Sequence, residues 1–190
     1  MKENPSFFST CGTNCPVENV SWEGAVEYLN RLSEKWNLPA CYGPTAAESE
    51  VLNCRGFRLP TEREWVYAAR AGREAINYDD LHETEWHLGN SRGRTGVVAR
   101  WQPNAFGLHD MLGNVREWCH DECDECPRGD RVDRHGQLPA VYRVVLGGSF
   151  RDSEQAIRLD YRDGAPPAVG QSWVGFRPAR TLHPSETLDP

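Results

Sequence analysis

The sequence predicts a single α+β domain that combines two helices and a small antiparallel sheet with many loops. Its 190 residues fit one domain of ordinary size. Apolar residues recur at helical spacing in two segments, and short apolar runs elsewhere indicate strands. The 17 glycines and 13 prolines favour many turns and few long elements. Aromatic residues form 10% of the chain and bury large areas, which offsets a hydrophobic content of only 38%.

The two predicted helices each begin at a capping residue. Ser21 is a typical N-cap, and the apolar residues of the helix after it recur at helical spacing: Trp22, Val26, Leu29, Leu32 and Trp36. Thr61 and Glu64 form a capping-box pattern, which predicts a second helix that ends at Gly72. The residues expected to be buried on this second helix are Trp65, Ala68 and Ala69.

The strands and loops are predicted from short-range patterns. Residues 57–59 form a strand candidate, and the apolar residues 141–146 and 174–179 are expected to be paired strands of a small sheet. Residues 39–53 show no periodicity, which favours a loop. Residues 119–136 are the most polar part of the chain and are predicted to form an exposed loop.

The charge and hydropathy of the chain argue against two kinds of partner. The net charge of −7 would repel a phosphate backbone, so we do not expect nucleic acid as a partner. No apolar run approaches the roughly 20 residues that a membrane span requires. Residues 1–5 contain no hydrophobic segment typical of a secretory signal. These observations do not identify the compartment.

Seven cysteines are many for a chain of this size if it works in a reducing compartment. Cys11 and Cys15 flank a turn, and Cys41 and Cys54 bracket a loop, so both pairs are candidates for short-loop disulfides. Free thiols remain the alternative for each pair, because spacing does not determine connectivity.

A third cysteine group lies in an acidic stretch. Cys119, Cys123 and Cys126, with His120 or His135 as a fourth ligand, resemble a tetrahedral zinc set. Their spacing differs from that of a standard zinc knuckle. A disulfide together with one free thiol is therefore the competing interpretation.

The stretch 107–118 combines turn-forming glycines with oxygen ligands. Two carboxylates stand seven positions apart, at Asp110 and Glu117. Calcium takes about six to eight oxygens from side chains and main chain alike. The stretch therefore predicts a calcium site, with the carbonyl oxygens of Gly113 and Val115 beside the two carboxylates.

Four segments spread over nearly the whole chain carry distinctive motifs. They read PVENVSW at 16–22, FRLPTEREW running into YAARAG at 57–72, NAFGLHDMLGNVREW at 104–118, and GGSF with GFR at 147–150 and 175–177. Together, and in this order, they resemble the motifs of the formylglycine-generating enzyme (sulfatase-modifying factor) family. The resemblance implies an irregular C-type-lectin-like fold that is poor in regular structure.

The resemblance also implies metal sites and domain limits. The four oxygen-bearing positions of stretch 107–118 match the family's calcium ligands, whereas residues 90–95, which match a second family calcium site, carry no carboxylate. One domain is expected over residues 1–180, with a tail at 181–190. Family domains have a longer N-terminal part. Either a partner chain or oligomer supplies those strands, or the remainder folds alone with an exposed sheet edge.

The family's catalytic residues are not matched. Its activity rests on a cysteine pair that binds copper, between the GGSF and GFR motifs, and thiolates suit Cu(I). No cysteine follows Cys126 here, and the position of the second family cysteine falls on or near Leu159. A related iron-dependent branch uses histidines of a separate helical domain. The six histidines here are scattered through polar contexts, which favours surface roles.

We therefore expect a non-catalytic module that binds a protein or a small polar ligand on a calcium-stiffened scaffold. Variable proteins of diversity-generating retroelements resemble the same family and bind through the segment between the last two motifs, so this subfamily is one alternative. A formylglycine-generating or iron-dependent enzyme and a regulatory domain completed by a partner chain are the others. The candidate ligand-binding residues, on loops of the scaffold, are Asp152, Gln155, Asp160, Tyr161, Asp163, Gln171 and Trp173.

Overall fold

The computed structural model describes residues 4–44, 47–73, 85–124, 126 and 141–182. The helices are α1 (Trp22–Lys35), α2 (Glu48–Asn53) and α3 (Glu62–Arg70), with 3-10 turns at Ser9–Cys11 and Glu154–Ala156. The strands are β1 (Phe57–Arg58), β2 (Arg116–Glu122), β3 (Arg143–Leu146), β4 (Asp163–Ala165), β5 (Val174–Gly175) and β6 (Ala179–Arg180). The α+β class with many loops agrees with the prediction. In these described ranges, no helix has the length and apolar character needed to cross a bilayer.

The main sheet has the strand order β4-β3-β2-β5, and β1 pairs with β6 in a second, two-stranded sheet. Strands β2 and β5 run parallel and the other pairs are antiparallel, so the main sheet is mixed and not purely antiparallel as predicted. Strands β3 and β5 lie in the same sheet, but the prediction that they pair directly is wrong because β2 separates them.

The start of each long helix follows its capping residue as predicted. Ser21 Oγ accepts a hydrogen bond from Gly24 N at 3.0 Å. Thr61 and Glu64 form the reciprocal capping box of α3. Helix α1 buries Ala25, Leu29 and Ser33, whereas Trp36 lies beyond its end and is 62% exposed. The prediction that Trp36 belongs to the buried face is therefore wrong.

Two segments predicted as loops contain regular structure. Residues 48–53 form α2, whose start is supported by Glu50, since its Oε2 accepts a hydrogen bond from Ala47 N at 3.1 Å. Residues 119–122 belong to β2, and Cys119 and His120 are buried in it. The expectation of an exposed loop from residue 119 is thus wrong for its first part, and residues 127–136 lie outside the described ranges.

The core lies on both faces of the main sheet, because successive side chains of a strand point to opposite faces. Cys119 of β2 and Val144 of β3 join one apolar cluster with Trp65 of α3. Trp118 of β2 and Val145 of β3 join a second cluster, which includes residues of α1. Strand β2 therefore contributes a residue to each cluster and connects the two halves of the core.

Both short-loop disulfides are present, between Cys11 and Cys15 and between Cys41 and Cys54. Cys41 is buried under the chain that leads into β1. Of the two interpretations that the spacing left open, the disulfide is the one found for each pair.

Gly175 of β5 allows the N-terminal segment to approach the sheet. A Cβ added there would lie 2.6 Å from the carbonyl oxygen of Val17. Gly175→Ala should therefore lower the free energy of unfolding by about 1–3 kcal/mol, as overpacking does. The change is measured by urea denaturation. Gly43→Ala is the matched control, because a Cβ at Gly43 would meet no atom within 4 Å. Equal stability of the two variants would contradict the close approach.

Candidate functional site

The centre of the candidate site is the side chain of Arg116, which is 6% exposed. Its Nη2 and Nε donate to the two carboxylate oxygens of Asp152, at 2.8 and 3.1 Å. Its Nη1 forms an ion pair with Asp163 of β4, which is 3% exposed. Ser149 Oγ also donates to Asp152, at 2.6 Å. Burial lowers the pKa of Arg116, but the two carboxylates outweigh this effect and raise it overall.

Arg116 also contacts two of the predicted aromatic residues. Its guanidinium lies over the ring of Tyr161, with Cζ 5.6 Å from the ring centroid. Its main-chain nitrogen donates to the carbonyl oxygen of Trp173 at 2.8 Å. The ring of Trp173 in turn packs against Arg151, whose Cζ lies 4.0 Å from the ring centroid. The structure thus brings Asp152, Asp163, Tyr161 and Trp173 together around one buried cation.

Asp163 is buried, and the side chain of Asp152 is 15% exposed. Both are engaged by Arg116, because a buried cation requires paired anions. Through these ion pairs they hold the segment between β3 and β5 against β2. That these two carboxylates contact a ligand stays a prediction.

The remaining predicted ligand-binding residues surround this cluster. Gln155 is exposed in the 3-10 turn, and Asp160 is exposed with its Oδ1 3.1 Å from Nε of Arg158. Gln171 is half-buried, its carbonyl oxygen accepts from Asn19 N at 3.0 Å, and its Oε1 is buried without a hydrogen-bond partner. The exposed part of the predicted face therefore consists of Gln155 and Asp160, with parts of Tyr161 and Trp173.

The predicted calcium loop winds tightly before β2. Gly107, Asp110, Gly113 and Asn114 all have positive φ angles, between 52° and 77°. A Cβ at Gly113 would lie 2.4 Å from the carbonyl oxygen of Trp86. Left-handed conformations at Asp110 and Asn114 cost energy that the surrounding contacts must offset. The loop geometry is therefore specified by more than its glycines.

Glu117, one of the four predicted calcium ligands, is already engaged. Its Oε2 accepts from Trp65 Nε1 at 2.7 Å and from Arg177 Nε at 2.6 Å, and its Oε1 accepts from Arg177 Nη2 at 2.7 Å. Two carboxylate oxygens have about four lone-pair positions. A calcium ion at Glu117 would therefore have to share this carboxylate with Arg177.

Asp110 fits a cation better than Glu117 does. Its Oδ2 accepts from Ala99 N at 2.7 Å, but its Oδ1 is buried without a partner. Oε2 of Glu85 is also buried without a partner, and burial together with the charge of Asp110 raises the pKa of Glu85 to about 9. In the described part of the chain, no three His, Cys, Asp or Glu side chains gather as a metal site. Main-chain oxygens would have to complete the coordination.

The cysteines predicted as a zinc set take the alternative arrangement. Cys123 and Cys126 form a disulfide, while Cys119 keeps a buried thiol. Burial and the nearby carboxylates of Asp121 and Glu117 raise the pKa of Cys119, so the thiol stays protonated, whereas zinc binds thiolates. His135 lies outside the described residues.

Three functional residues escaped the sequence-based prediction. Arg116 and Arg177 each neutralise buried carboxylates, and Glu85 lies near Asp110 without a counterion in the described structure. The position of Arg116 beside the apolar Val115 and Trp118 was a usable signal, because a buried arginine requires a paired anion. No local signal marked Glu85, because its electrostatic interaction with Asp110 joins residues far apart in the sequence.

The chain matches a protein family over almost its whole length. The sequence model of the sulfatase-modifying factor enzyme 1-like domain aligns with residues 3–182. The formylglycine-generating enzyme of Thermomonospora curvata is 31% identical over 201 residues, covering 92% of this chain and 58% of that protein. Serine/threonine-protein kinase pkn1 of Chlamydia pneumoniae is 35% identical over 173 residues, covering 88% of this chain and 24% of the kinase. The chain thus spans only part of the length of these relatives.

A solved structure shares the fold. Treponema denticola variable protein 1 superimposes with a TM-score of 0.77 and is 32% identical, and the match covers 95% of this chain and 78% of that protein. This similarity extends beyond the four motifs to the fold of nearly the whole chain.

The Arg116 ion pairs generate a stability prediction. Arg116→Met removes the cation and deprives the buried Asp163 of its ion pair with Arg116, which should cost about 3–5 kcal/mol in the free energy of unfolding. Urea denaturation measures the loss. Arg31→Met is the control, because its pair with Glu27 is exposed on α1 and should contribute less than about 1 kcal/mol. A loss for Arg116→Met as small as that of the control would contradict the buried network.

Proposed function

The chain belongs to the family of sulfatase-modifying factor enzyme 1-like domains, and we propose that it is a non-catalytic member that binds a protein or a small polar ligand. The binding surface is formed by the segment 151–173, between β3 and β5. We call five of its exposed and half-exposed side chains the recognition face: Arg151, Gln155, Asp160, Tyr161 and Trp173.

The observation that carries this proposal is how the segment is held. Its backbone is largely irregular, yet Arg116 anchors it at Asp152, Asp163 and the carbonyl oxygen of Trp173. Because these anchors lie beneath the segment, side chains above them can vary without loss of the backbone position. A rigid scaffold with variable loop side chains is suited to recognition.

The similarity to Treponema denticola variable protein 1 supports the same interpretation. That protein is named as a variable protein, and it shares its fold with this chain. The recognition face presents both charges, an amide and two aromatic rings, a composition suited to protein surfaces. We therefore favour a protein as the ligand of this face.

A formylglycine-generating activity is the second candidate, because enzymes with that name are among the relatives. The family chemistry needs a cysteine pair between the last two motifs. No cysteine follows Cys126 in this chain, and Leu159 and its neighbours offer no thiolate for copper. The chemistry of the segment therefore favours binding over catalysis.

Calcium binding belongs to the proposal as a stiffening element. The ion would be held by Asp110 and by the carbonyl oxygens of Gly113 and Val115, with Glu117 shared with Arg177. The support is the pair of buried, unpartnered carboxylate oxygens on Asp110 and Glu85, because a cation beside them would relieve both their desolvation and their mutual repulsion. Glu85 is therefore a further candidate ligand.

The binding proposal predicts that substitutions on the recognition face abolish ligand capture and leave the stability of the fold unchanged. The variant Arg151→Ala/Gln155→Ala/Asp160→Ala should lose the protein ligands that wild type captures on a protein array. Its melting temperature should stay close to that of wild type, since substitutions at exposed positions change stability by about 0.5 kcal/mol or less each.

The matched control for this experiment changes three exposed residues on α1 and α3: Glu23→Ala/Glu34→Ala/Arg63→Ala. It should capture the same proteins as wild type. Capture that survives the triple change on the recognition face, or that is lost equally in the control, would contradict the proposal.

The calcium proposal predicts a ligand-dependent melting temperature. A hundredfold excess of calcium over its dissociation constant stabilises a folded protein by about 2.7 kcal/mol, so chelator should lower the wild-type melting temperature. Asp110→Asn should reduce this shift, whereas Asp124→Asn, an exposed control, should leave it unchanged. Calorimetry with and without chelator measures the shift. A wild-type curve that chelator does not move would show that calcium does not stiffen this loop.

A further inference from the structure

A second concave surface lies away from the recognition face, between the 3-10 turn at Ser9–Cys11 and the segment 86–101. The cleft has a volume of about 490 Å³, which is within the range of small-molecule sites. Among its lining residues are three arginines, two tryptophans and a buried threonine: Arg92, Arg94, Arg100, Trp86, Trp101 and Thr95.

The charge of this cleft is opposite to that of the chain. The chain carries a net charge of −7, yet no Asp or Glu side chain is among the described residues that line the cleft. Arg92 and Arg94 are exposed, and neither forms an ion pair within the described ranges. Guanidinium groups present donors in a planar fork that matches sulfate, phosphate and carboxylate groups. Among the described residues, the cleft therefore concentrates positive charge on an acidic protein.

Arg100 is held in place by aromatic rings. Its Cζ lies 5.2 Å from the ring of Trp86 and 5.3 Å from that of Trp101, and the two rings meet edge to face at 5.9 Å. A guanidinium that stacks on indole rings keeps its N–H edge free to donate. This arrangement lowers the entropy that a ligand contact with Arg100 would cost.

Two polar atoms of residues that line the cleft are buried without a hydrogen-bond partner among the described residues. Thr95 is 3% exposed and its Oγ1 has no hydrogen-bond partner. Nε1 of Trp101 is also buried without a partner. Buried polar groups are almost always satisfied, so each such atom requires an explanation. Because both atoms are shielded from solvent, a ligand rich in acceptor oxygens would reach them only after a side-chain rearrangement, whereas the exposed arginines are open to it directly.

We propose that this cleft binds a small ligand carrying two or more sulfate or phosphate groups. The arginines pair with the anionic groups, and the indole rings pack against the ligand's uncharged part. This inference is independent of the recognition face, because none of the lining residues belongs to the segment 151–173.

Isothermal titration with two charged probes and one neutral probe tests the proposal. The probes are inorganic pyrophosphate, a disulfated disaccharide and lactose. We expect saturable binding of at least one charged probe, with a change in tryptophan fluorescence from Trp86 and Trp101, and no binding of lactose. The stronger charged probe identifies whether a phosphate or a sulfated sugar is the better ligand.

Two arginine variants test whether the charged probes bind in this cleft. Arg92→Gln/Arg94→Gln should weaken binding at least about tenfold, because charge-assisted hydrogen bonds are the strong ones. Arg63→Gln, an exposed arginine on α3, should bind as wild type does. Absence of saturable binding by both charged probes, equal binding of lactose, or equal affinity of the double variant and wild type would each overturn the proposal.

Discussion

The structure depends most on the pairing of one buried cation, Arg116, with the carboxylates of Asp152 and Asp163. Isolated charges are expensive inside a protein, so each of these groups constrains the position of the others. The pairing links the central strand β2 to the edge strand β4 and to the turn after β3. As a result, a long irregular segment acquires a fixed backbone path without helices or long strands of its own.

A second ion pair lies on the opposite face of strand β2, between the buried carboxylate of Glu117 and the guanidinium of Arg177. Glu117 points away from Arg116, because side chains alternate along a strand, and it binds Arg177 and Trp65. The neighbouring residues Arg116 and Glu117 thus hold the recognition face on one side of the sheet and the loop 107–115 on the other. Trp118 and Cys119 continue the alternation into the two apolar clusters. The recognition face and the proposed calcium loop are therefore coupled through a single strand.

Features with a local cause could be predicted from the sequence. The helix starts at Ser21 and Thr61 depend on hydrogen bonds within three residues, and the four motifs identified the family because their order is specific. Strand β2 could not be predicted in full, since HDE at 120–122 is polar and its pairing with β3 depends on residues distant in the sequence. For the same reason Asp152 and Asp163 were predicted as ligand contacts, whereas their partner Arg116 is 36 and 47 residues away. The electrostatic interaction of Glu85 with Asp110 could not be predicted either, because the two residues are far apart in the sequence.

The coupling energy between Arg116 and Asp163 tests the central claim most directly. It is obtained from the free energies of unfolding of Arg116→Met, Asp163→Asn and the double variant. If the two residues form a buried pair, the double variant should be at least about 2 kcal/mol more stable than the sum of the single effects predicts, because the second change removes a buried charge that has already lost its ion pair with the other residue. Additivity within about 0.5 kcal/mol would contradict the claim that this pair holds the recognition face in place.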